Sequence, residues 1–457
     1  NNNPCSKGTG EAEDYSIVIR NPNTNITQNT GTLVPNTINS LEIHSPRPTS
    51  TVTLDAAITI IDSLKFTSGV FNTNNNNIRL AGDIIADTLN PMIPGTSVFT
   101  MYEGKDQNIR GSQPVSLAAV TVDKDSNDVF IQTPTRFQGN TIVTSETFIN
   151  VDDGDTLTFA NTSTFTAGVG GFGTNRMIKV SGTPTVSGVV NKEFNNAAGN
   201  QSFTYAIGVD TLFNPGIVSL NGTYTGTPSL SVQLIDDFHP ARLNDLLLRK
   251  YWTVGQENIT NLGTSDIKFA YNSPEDTSGN APRYYAGLYR PAPNLGWEVN
   301  LGTSPTAFPD TIKATNTLYF EGDWTAGESS AYFEGRNYYS RVTGNWDTPS
   351  NWSNVGHAGP PSSYAPGEIT FKDTVFIDGH VITFNVDTAS VDTITIGGTT
   401  ANSDSFLIIH DFTDGASWPC GEHIDWDSRF SVEQNRLHRS ESRRQLEERL
   451  RQSLRID

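Results

Sequence analysis

INSLEI at residues 38–43, IDSLKF at residues 61–66 and VDTITI at residues 391–396 are three copies of one six-residue phrase. Each copy has a branched apolar residue, then Asn or Asp, then Ser or Thr, and then two apolar positions separated by one polar residue. This alternation is typical of a strand with one buried face. The first two copies are 23 residues apart, and a fixed period of about 20 to 50 residues is typical of stacked repeats. The phrase therefore predicts the rungs of a β-solenoid.

A second, longer period is present in the same chain. Without a gap, residues 52–66 (VTLDAAITIIDSLKF) align with residues 382–396 (ITFNVDTASVDTITI), and nearly every apolar position is kept. The offset of 330 residues predicts whole modules in tandem, each of which contains a solenoid.

Composition and charge narrow the class of protein. The 457 residues include 39 Gly and 24 Pro, and 10% are aromatic, which is typical of a β-protein with many turns. The net charge of −19 repels phosphate backbones, so we expect no nucleic-acid partner. The only two cysteines, Cys5 and Cys420, lie near opposite ends and predict free thiols.

Targeting signals are not visible in the sequence. No apolar run approaches the about 20 residues that a membrane-spanning helix needs. The first residues, NNNPCSKGTGE, lack the charged start and apolar stretch of a signal peptide. Because the tandem pattern is cut at both ends, we expect that the chain begins in the middle of a larger protein.

The texture of the sequence predicts an all-β fold in successive segments. Residues 1–192 hold short alternating strands separated by Asn, Gly and Asp turns, which favours a right-handed parallel β-helix over a long sandwich. Residues 193–330 have longer loops and more aromatics, which predicts an antiparallel β-sandwich. Within them, residues 240–249 (PARLNDLLLR) form the one short helix that the pattern predicts. Residues 335–417 predict the start of a second solenoid. Trp346 and Trp352 are expected to cover the open end of its first coil.

The last segment, residues 418–457, differs in composition from the rest. From Gly421 onward, 37 residues hold 8 Arg, 8 acidic residues and no Lys, whereas the preceding 420 residues hold 12 Arg and 10 Lys. Leucines at i, i+4 and i+8 among alternating charges predict a charged helix. Two interpretations are open: a partner-binding helix, or a solvated, foreign or out-of-frame end.

One part of the chain resembles a known group of proteins. The order GNWDTPSNW, PG and DTVFIDGHVITF within residues 344–384 resembles the opening segment of repeat modules in very large surface proteins of gliding, type IX-secreting bacteria. It is also similar to the start of the glycine-rich β-helical domain of several extracellular proteins, some of which act on hyaluronan. The stretches QSFTYAIGVD, FNPGIVSL and LRKYWTVG look like the sandwich that follows the solenoid in those bacterial proteins. The resemblance as a whole extends over most of residues 15–410.

The resemblance implies a location and a role. It implies an extracellular, non-catalytic structural or adhesive module of a large bacterial surface protein. Its partners would be neighbouring modules of the same protein and extracellular polysaccharide or cell-surface glycans.

The sequence contains few signs of catalysis. It has no HExxH, CxxC or GxSxG motif, and no GxGxxG that opens a helix. The alternative function is that of a β-helix polysaccharide lyase or hydrolase, which needs two carboxylates about 5 to 10 Å apart. We find no second carboxylate that repeats at the rung spacing, so the pattern favours a non-catalytic module.

Calcium is the one cofactor that the sequence suggests. Asp123, Asp125 and Asn127 place oxygen ligands at positions 1, 3 and 5 of a calcium-type loop, and Asp128 adds a fourth. Asp128 replaces the usual turn glycine, and no Glu follows at position 12. The other interpretation is an acidic hairpin turn.

Aromatic residues in one segment suggest sugar binding. In RYYAGLYR (residues 283–290), Tyr285 and Tyr289 share one strand face, and Trp297 follows closely. If the face with Leu288 belongs to the core, Tyr285, Tyr289 and Trp297 can stack on pyranose rings. The other interpretation is that they are rim residues of the sandwich.

Overall fold

A computed structural model describes most of the chain. The described residues are 15–19, 28–29, 34–45, 50–89, 91–197, 199–290, 296–299, 310–314, 320–332, 335–368, 373–386, 391, 393–396 and 406–409. The chain divides into two compact units, Asn1–Tyr332 and Phe333–Asp457. Regular structure in the described residues is almost entirely β-strand, so the predicted all-β class is confirmed. The predicted charged helix and both cysteines lie outside the described residues.

The first part of the first unit is a succession of short strands. They are β1 (Ser16–Ile19), β2 (Gln28–Asn29), β3 (Thr37–His44), β4 (Thr51–Thr53), β5 (Ile58–Ser68), β6 (Val70–Asn72), β7 (Ile78–Leu80), β8 (Asp83–Ala86), β9 (Met92–Ile93), β10 (Val98–Tyr102), β11 (Gln107–Gly111), β12 (Val115–Leu117), β13 (Ala119–Asp123), β14 (Val129–Gln132), β15 (Thr135–Phe137), β16 (Thr141–Val143), β17 (Phe148–Val151), β18 (Thr156–Phe159), β19 (Phe165–Ala167), β20 (Met177–Val180) and β21 (Val189–Glu193).

These strands pair in parallel and form a β-solenoid with three faces. β5 lies on two of the faces, because its first half pairs with β7 and its second half with β8. The first face continues through β10, β13, β16 and β19, and the second through β11, β14, β17 and β20. The third face is made of β2, β4, β6 and β9, followed by β12, β15, β18 and β21. Neighbouring strands of a face are therefore successive rungs.

The repeated phrase marks two of these rungs. Its first two copies lie on β3 and β5 and pair in register, as Ser40–Ser63, Leu41–Leu64, Glu42–Lys65 and Ile43–Phe66. The predicted rung spacing of 23 residues is thus confirmed. A bulge separates these pairs from the pair Ile38–Ile60, so the first residue of the phrase is shifted.

Apolar side chains from successive rungs stack inside the solenoid. One column on the second face has at most 2% of any side chain exposed, and it consists of Leu41, Leu64, Ile84, Ile109, Ile131 and Val151. Burial of each such side chain contributes about 1.5 to 3 kcal/mol. The column explains why short strands with one apolar face are stable only when they are stacked.

Asparagines and a glycine shape the turns between the faces of the solenoid. Asn74 and Asn75 adopt φ of 52° and 63°, a left-handed conformation that Asn tolerates. The Asn77 side-chain oxygen accepts a hydrogen bond of 2.9 Å from the Val98 backbone N–H of the next rung. At Gly82 an added Cβ would lie 1.4 Å from the Asp62 carbonyl oxygen, so this contact between rungs requires glycine.

After β21 most of the strands run antiparallel. They are β22 (Gln201–Tyr205), β23 (Ile207–Val209), β24 (Leu212–Phe213), β25 (Gly216–Leu220), β26 (Thr223–Ile235), β27 (Tyr251–Asn261), β28 (Asp266–Ala270), β29 (Tyr285–Arg290), β30 (Gly296–Val299), β31 (Thr311–Ala314) and β32 (Gly322–Gly327), with a 3-10 helix (Ala281–Arg283) and a short helix α1 (Ser329–Tyr332).

The antiparallel strands continue the solenoid without a break in the core. β26 pairs with β21, the last strand of the third face, and extends it through β27, β32, β29 and β30. A separate sheet has the order β22, β25, β28, β31. One hydrophobic cluster runs from Ile19 in the solenoid to Ala326 in β32. The strands that pair within residues 193–330 are antiparallel, as predicted, whereas their arrangement as a β-sandwich stays a prediction.

The helix predicted for residues 240–249 is wrong. The segment is extended and irregular, and the Leu248 N–H donates to the Ala326 carbonyl at 2.8 Å. Leu247 and Leu248 are fully buried. The apolar residues that imitate a helical pattern instead anchor a connection along the edge of β32.

The second unit begins as a separate small solenoid. Its strands are β33 (Asn337–Ser340), β34 (Gly344–Asn345), β35 (Trp352–Ser353), β36 (Thr374–Ile377), β37 (Val381–Phe384), β38 (Thr393–Ile396) and β39 (Phe406–Ile409), with a 3-10 helix (Pro349–Asn351). β33, β36 and β38 pair in parallel, as do β34, β37 and β39. The third copy of the phrase supplies β38, as predicted. Trp346 and Trp352 are fully buried in this unit.

Candidate functional site

The aromatic residues predicted to bind sugar lie at one edge of the antiparallel region. β29 and β30 form a hairpin in which Tyr289 lies opposite Trp297, and their ring centroids are 5.2 Å apart, edge to face. Tyr285 lies at the other end of β29, where it pairs with Gly327. The structure therefore brings two of the three predicted residues together.

A buried histidine lies at the centre of this aromatic cluster. The His239 ring is 4.9 Å from Tyr289, 4.7 Å from Trp297 and 5.0 Å from Tyr251. Only 1% of His239 is exposed. Because His239 and Tyr251 are far in sequence from the hairpin that contains Tyr289 and Trp297, no spacing in the sequence indicated this cluster.

Hydrogen bonds define the state of the His239 ring. Nδ1 accepts from the Ala241 N–H at 3.1 Å, so the ring proton is on Nε2, which lies 3.1 Å from an Asp323 carboxylate oxygen. The other Asp323 oxygen accepts from the Thr253 hydroxyl at 2.7 Å. The His239–Asp323 pair therefore fixes β32 and β27 beneath the aromatic rings.

Contacts with the rest of the protein cover part of each of the three predicted aromatic rings. Tyr285, Tyr289 and Trp297 are each half-buried. Trp297 donates from Nε1 to the Ala241 carbonyl at 3.1 Å and packs edge to face against Tyr332 at 4.7 Å. These contacts hold the Trp297 ring rigidly and leave part of it open to solvent.

The predicted calcium loop is the turn between β13 and β14, which lie on two different faces of the same rung of the solenoid. The Asp123 carboxylate accepts from the Thr144 hydroxyl at 2.7 Å. The two Asp128 oxygens accept from the Phe148 N–H at 3.1 Å and from the Asn150 amide at 3.0 Å. Asn127 has a positive φ of 63° and donates to the Gly104 carbonyl. Asp125 is exposed.

These oxygens serve contacts between rungs in the structure. Across the part of the chain that the structure describes, no group of three or more His, Cys, Asp or Glu side chains is arranged to hold a metal ion. Within the same residues, no helix is long and apolar enough to cross a membrane.

The same loop contains a buried lysine that sequence reasoning missed. Lys124 is fully buried, and its ammonium group donates to the Glu103 carbonyl at 3.1 Å, to the Lys105 carbonyl and to the Gln107 side-chain oxygen at 3.0 Å. Burial lowers the pKa of Lys124 to about 8, although Asp106 and Asp128 act in the opposite direction. The lysine falls at an inward position of the alternation, and this position is the one signal that could have revealed it.

Two carboxylates do repeat at the rung spacing, which corrects the sequence analysis. Gln107 pairs with Val129, so Asp106 and Asp128 are vertical neighbours. The Asp128 N–H donates to an Asp106 carboxylate oxygen at 3.0 Å. The acids were missed because the two turns align only once the register of β11 and β14 is known.

Two histidines of the second unit converge on one serine. The Ser340 hydroxyl lies 2.9 Å from His380 Nδ1 and 3.4 Å from His357 Nδ1. Burial, and then the charge of His357, lowers the pKa of His380. Because Ser340 is fully buried, its hydroxyl has no access to a substrate, and the cluster braces the first coil.

Comparisons with known proteins add no assignment to these sites. No protein-family model matches the chain, and neither the curated proteins nor the solved structures gave a match.

Proposed function

We propose that this chain is an extracellular structural and adhesive module of a large bacterial surface protein of the type IX-secreted kind. The observation that carries the proposal is the recurrence of one phrase as stacked strands in both compact units. The finer architecture of the proposal is a right-handed solenoid followed by a β-sandwich and a second solenoid. Neighbouring modules would repeat this unit and hold a binding face away from the cell.

Contacts along the solenoid axis suit a load-bearing role. The Gln107 side-chain amide donates to the Leu80 carbonyl at 2.8 Å, and its oxygen accepts from the Lys124 ammonium group. The Lys124 backbone N–H in turn donates to the Ser145 hydroxyl at 2.8 Å. This buried polar seam connects four successive rungs. Many weak bonds between rungs carry a load in parallel, because each repeat of a solenoid contacts its neighbours along the axis.

The adhesive part of the proposal is assigned to Tyr285, Tyr289 and Trp297. Each ring is half-buried, and Trp297 is held by a hydrogen bond and three ring contacts. A rigid aromatic ring loses little entropy when a pyranose stacks on its free surface. The proposed ligands are therefore extracellular polysaccharides or cell-surface glycans.

A glycan array tests this assignment. We expect wild-type protein to bind a subset of glycans and Trp297→Ala to lose at least about fivefold in affinity, since loss of one stacked ring costs about 1 to 3 kcal/mol. Tyr364→Ala is the matched control, because Tyr364 is an exposed aromatic of the second unit. Melting curves of both variants separate lost binding from lost fold. Absence of binding by well-folded wild-type protein to every glycan would contradict the adhesive role.

The alternative function is a polysaccharide lyase or hydrolase, and the stacked Asp106 and Asp128 favour it. Rungs lie about 4.8 Å apart, which is close to the separation of about 5 to 5.5 Å in retaining glycosidases. Both carboxylates accept hydrogen bonds from the next rung, which favours a structural role. The same glycans can be incubated with wild-type protein and with Asp106→Asn. Glycan chains that are shortened by the wild type but not by the variant would establish the enzyme.

Calcium at Asp123, Asp125, Asn127 and Asp128 belongs to this proposal as a stabiliser of the module. If the loop binds calcium, addition of about a hundredfold excess of calcium over its Kd stabilises the fold by about 2.7 kcal/mol. We therefore expect the melting temperature to fall when a chelator is added. Asp125→Ala is expected to abolish that shift, because the exposed Asp125 carboxylate would be a calcium ligand. An unchanged melting temperature would exclude the site.

A further inference from the structure

A buried lysine lies between two carboxylates where the solenoid meets the antiparallel region. Lys250 is 1% exposed. Its ammonium nitrogen contacts an Asp236 carboxylate oxygen and lies 3.2 Å from an Asp276 oxygen. The last residue pair between β26 and β27 is Ile235–Tyr251, so Asp236 and Lys250 face each other directly beyond that pair.

The second carboxylate is fixed in position. Asp276 is 1% exposed, and its Oδ2 accepts from the Asn214 amide at 2.7 Å and from the Asn272 N–H at 2.7 Å. Its Oδ1 remains directed at the Lys250 nitrogen. Trp252, fully buried and stacked on Phe269 at 4.8 Å, borders Asn214 through a hydrogen bond from its Nε1. The fold thus holds three groups together: an amine, a carboxyl group in contact with it, and an immobile carboxylate that can carry a proton.

We propose that Lys250 and Asp236 join in an intramolecular amide bond. Asp276 accepts one proton from the Lys250 ammonium group, and the free amine attacks the Asp236 carboxyl carbon. The new C–N bond forms as one C–O bond breaks. The departing oxygen takes the proton held by Asp276 and a second proton from the nitrogen, and it leaves as water. Asp276 ends unchanged, and no oxidant, metal or other reactant is needed.

Two physical effects favour this step at this position. Reacting groups held in fixed contact reach effective concentrations of about 10⁵ to 10⁸ M, which favours condensation over the reverse hydrolysis. A buried ammonium also carries a desolvation penalty that a neutral amide lacks. The bond would tie β26 to β27 and close the connection of residues 237–249. This inference is independent of the proposed adhesive function.

Mass spectrometry of the denatured wild-type protein tests the inference. The tryptic digest is expected to contain a branched peptide that joins residues 193–242 to Lys250 and is lighter by one water molecule than the sum of its linear parts. Trypsin would no longer cleave after Lys250. Fragmentation is expected to place the link on Asp236. A linear Lys250 peptide in full yield would overturn the proposal, and so would a link to Asn214 formed with loss of ammonia.

Two variants separate the chemistry from the ion pair. Lys250→Arg keeps the positive charge but cannot condense, so it is expected to yield linear peptides and a lower melting temperature. Asp276→Asn keeps the side-chain shape but removes the proton carrier, and most of this variant is expected to lack the cross-link. Full cross-linking in Asp276→Asn would overturn the role of Asp276. The wild-type measurement decides the bond itself even if either variant fails to fold.

Discussion

Replacement of Trp352 by alanine is expected to unfold the second unit. Trp352 is fully buried, packs edge to face against Trp346 at 5.2 Å, and donates from Nε1 to the Trp346 carbonyl at 2.8 Å. The described core of this unit is small and consists of Tyr338, Trp346, Trp352, Ala365, Val375, Ile377 and Ile382. Loss of a buried Trp costs about 3 to 5 kcal/mol, a large part of the stability of a small unit.

Hydrogen exchange measures this effect locally. Amides of β36 and β37 are expected to lose protection in Trp352→Ala, whereas amides of β13 and β14 in the first unit keep theirs. Val355→Ala is the matched control, because Val355 is three residues away and 74% exposed. Equal protection of β36 in wild type and Trp352→Ala would show that the tryptophan does not hold the first coil.

The periodic features of the fold were predictable because they depend on local alternation. INSLEI and IDSLKF stack in the expected register because a shift of one residue would turn Leu41 and Leu64 outward. The turns rich in Asn, Gly and Asp also follow from local chemistry, since Asn74 and Asn75 adopt the left-handed conformation that Asn tolerates. Residues 240–249 imitate a helix because their leucines serve a tertiary contact with β32, and local patterns do not contain that contact.

The candidate sites were less predictable because each depends on long-range pairing. Tyr289 and Trp297 could be placed together, since one hairpin connects them. His239 contacts these rings although it is about fifty residues away in sequence. Asp323 contacts His239 across 84 residues. The stack of Asp106 on Asp128 requires the register of two rungs whose spacing differs from that of the repeated phrase. Sequence alternation fixes which side chains point inward, whereas their neighbours depend on the lengths of the turns.

Buried lysines are expected to make the protein more stable as the pH rises from 8 to 10. Lys124 is fully buried and Lys192 is 5% exposed, and Lys192 donates to the Ala160 and Ser163 carbonyls at 2.6 Å each. Burial lowers the pKa of each lysine from 10.5 to about 8. Between these values the unfolded chain binds more protons than the folded chain, so the free energy of unfolding rises with pH. Each lysine contributes about 2 kcal/mol to this rise.

Urea unfolding at several pH values, compared with the double variant Lys124→Met and Lys192→Met, isolates this contribution. The variant is expected to lack the rise, because methionine fills a similar volume and does not titrate. Above pH 10 the comparison weakens, since burial raises the pKa of Tyr284 to about 12, and a folded pKa above the unfolded one removes stability as the unfolded tyrosine ionises. Identical slopes for wild type and variant below pH 10 would mean that the carbonyl groups around both ammonium groups compensate fully for their burial.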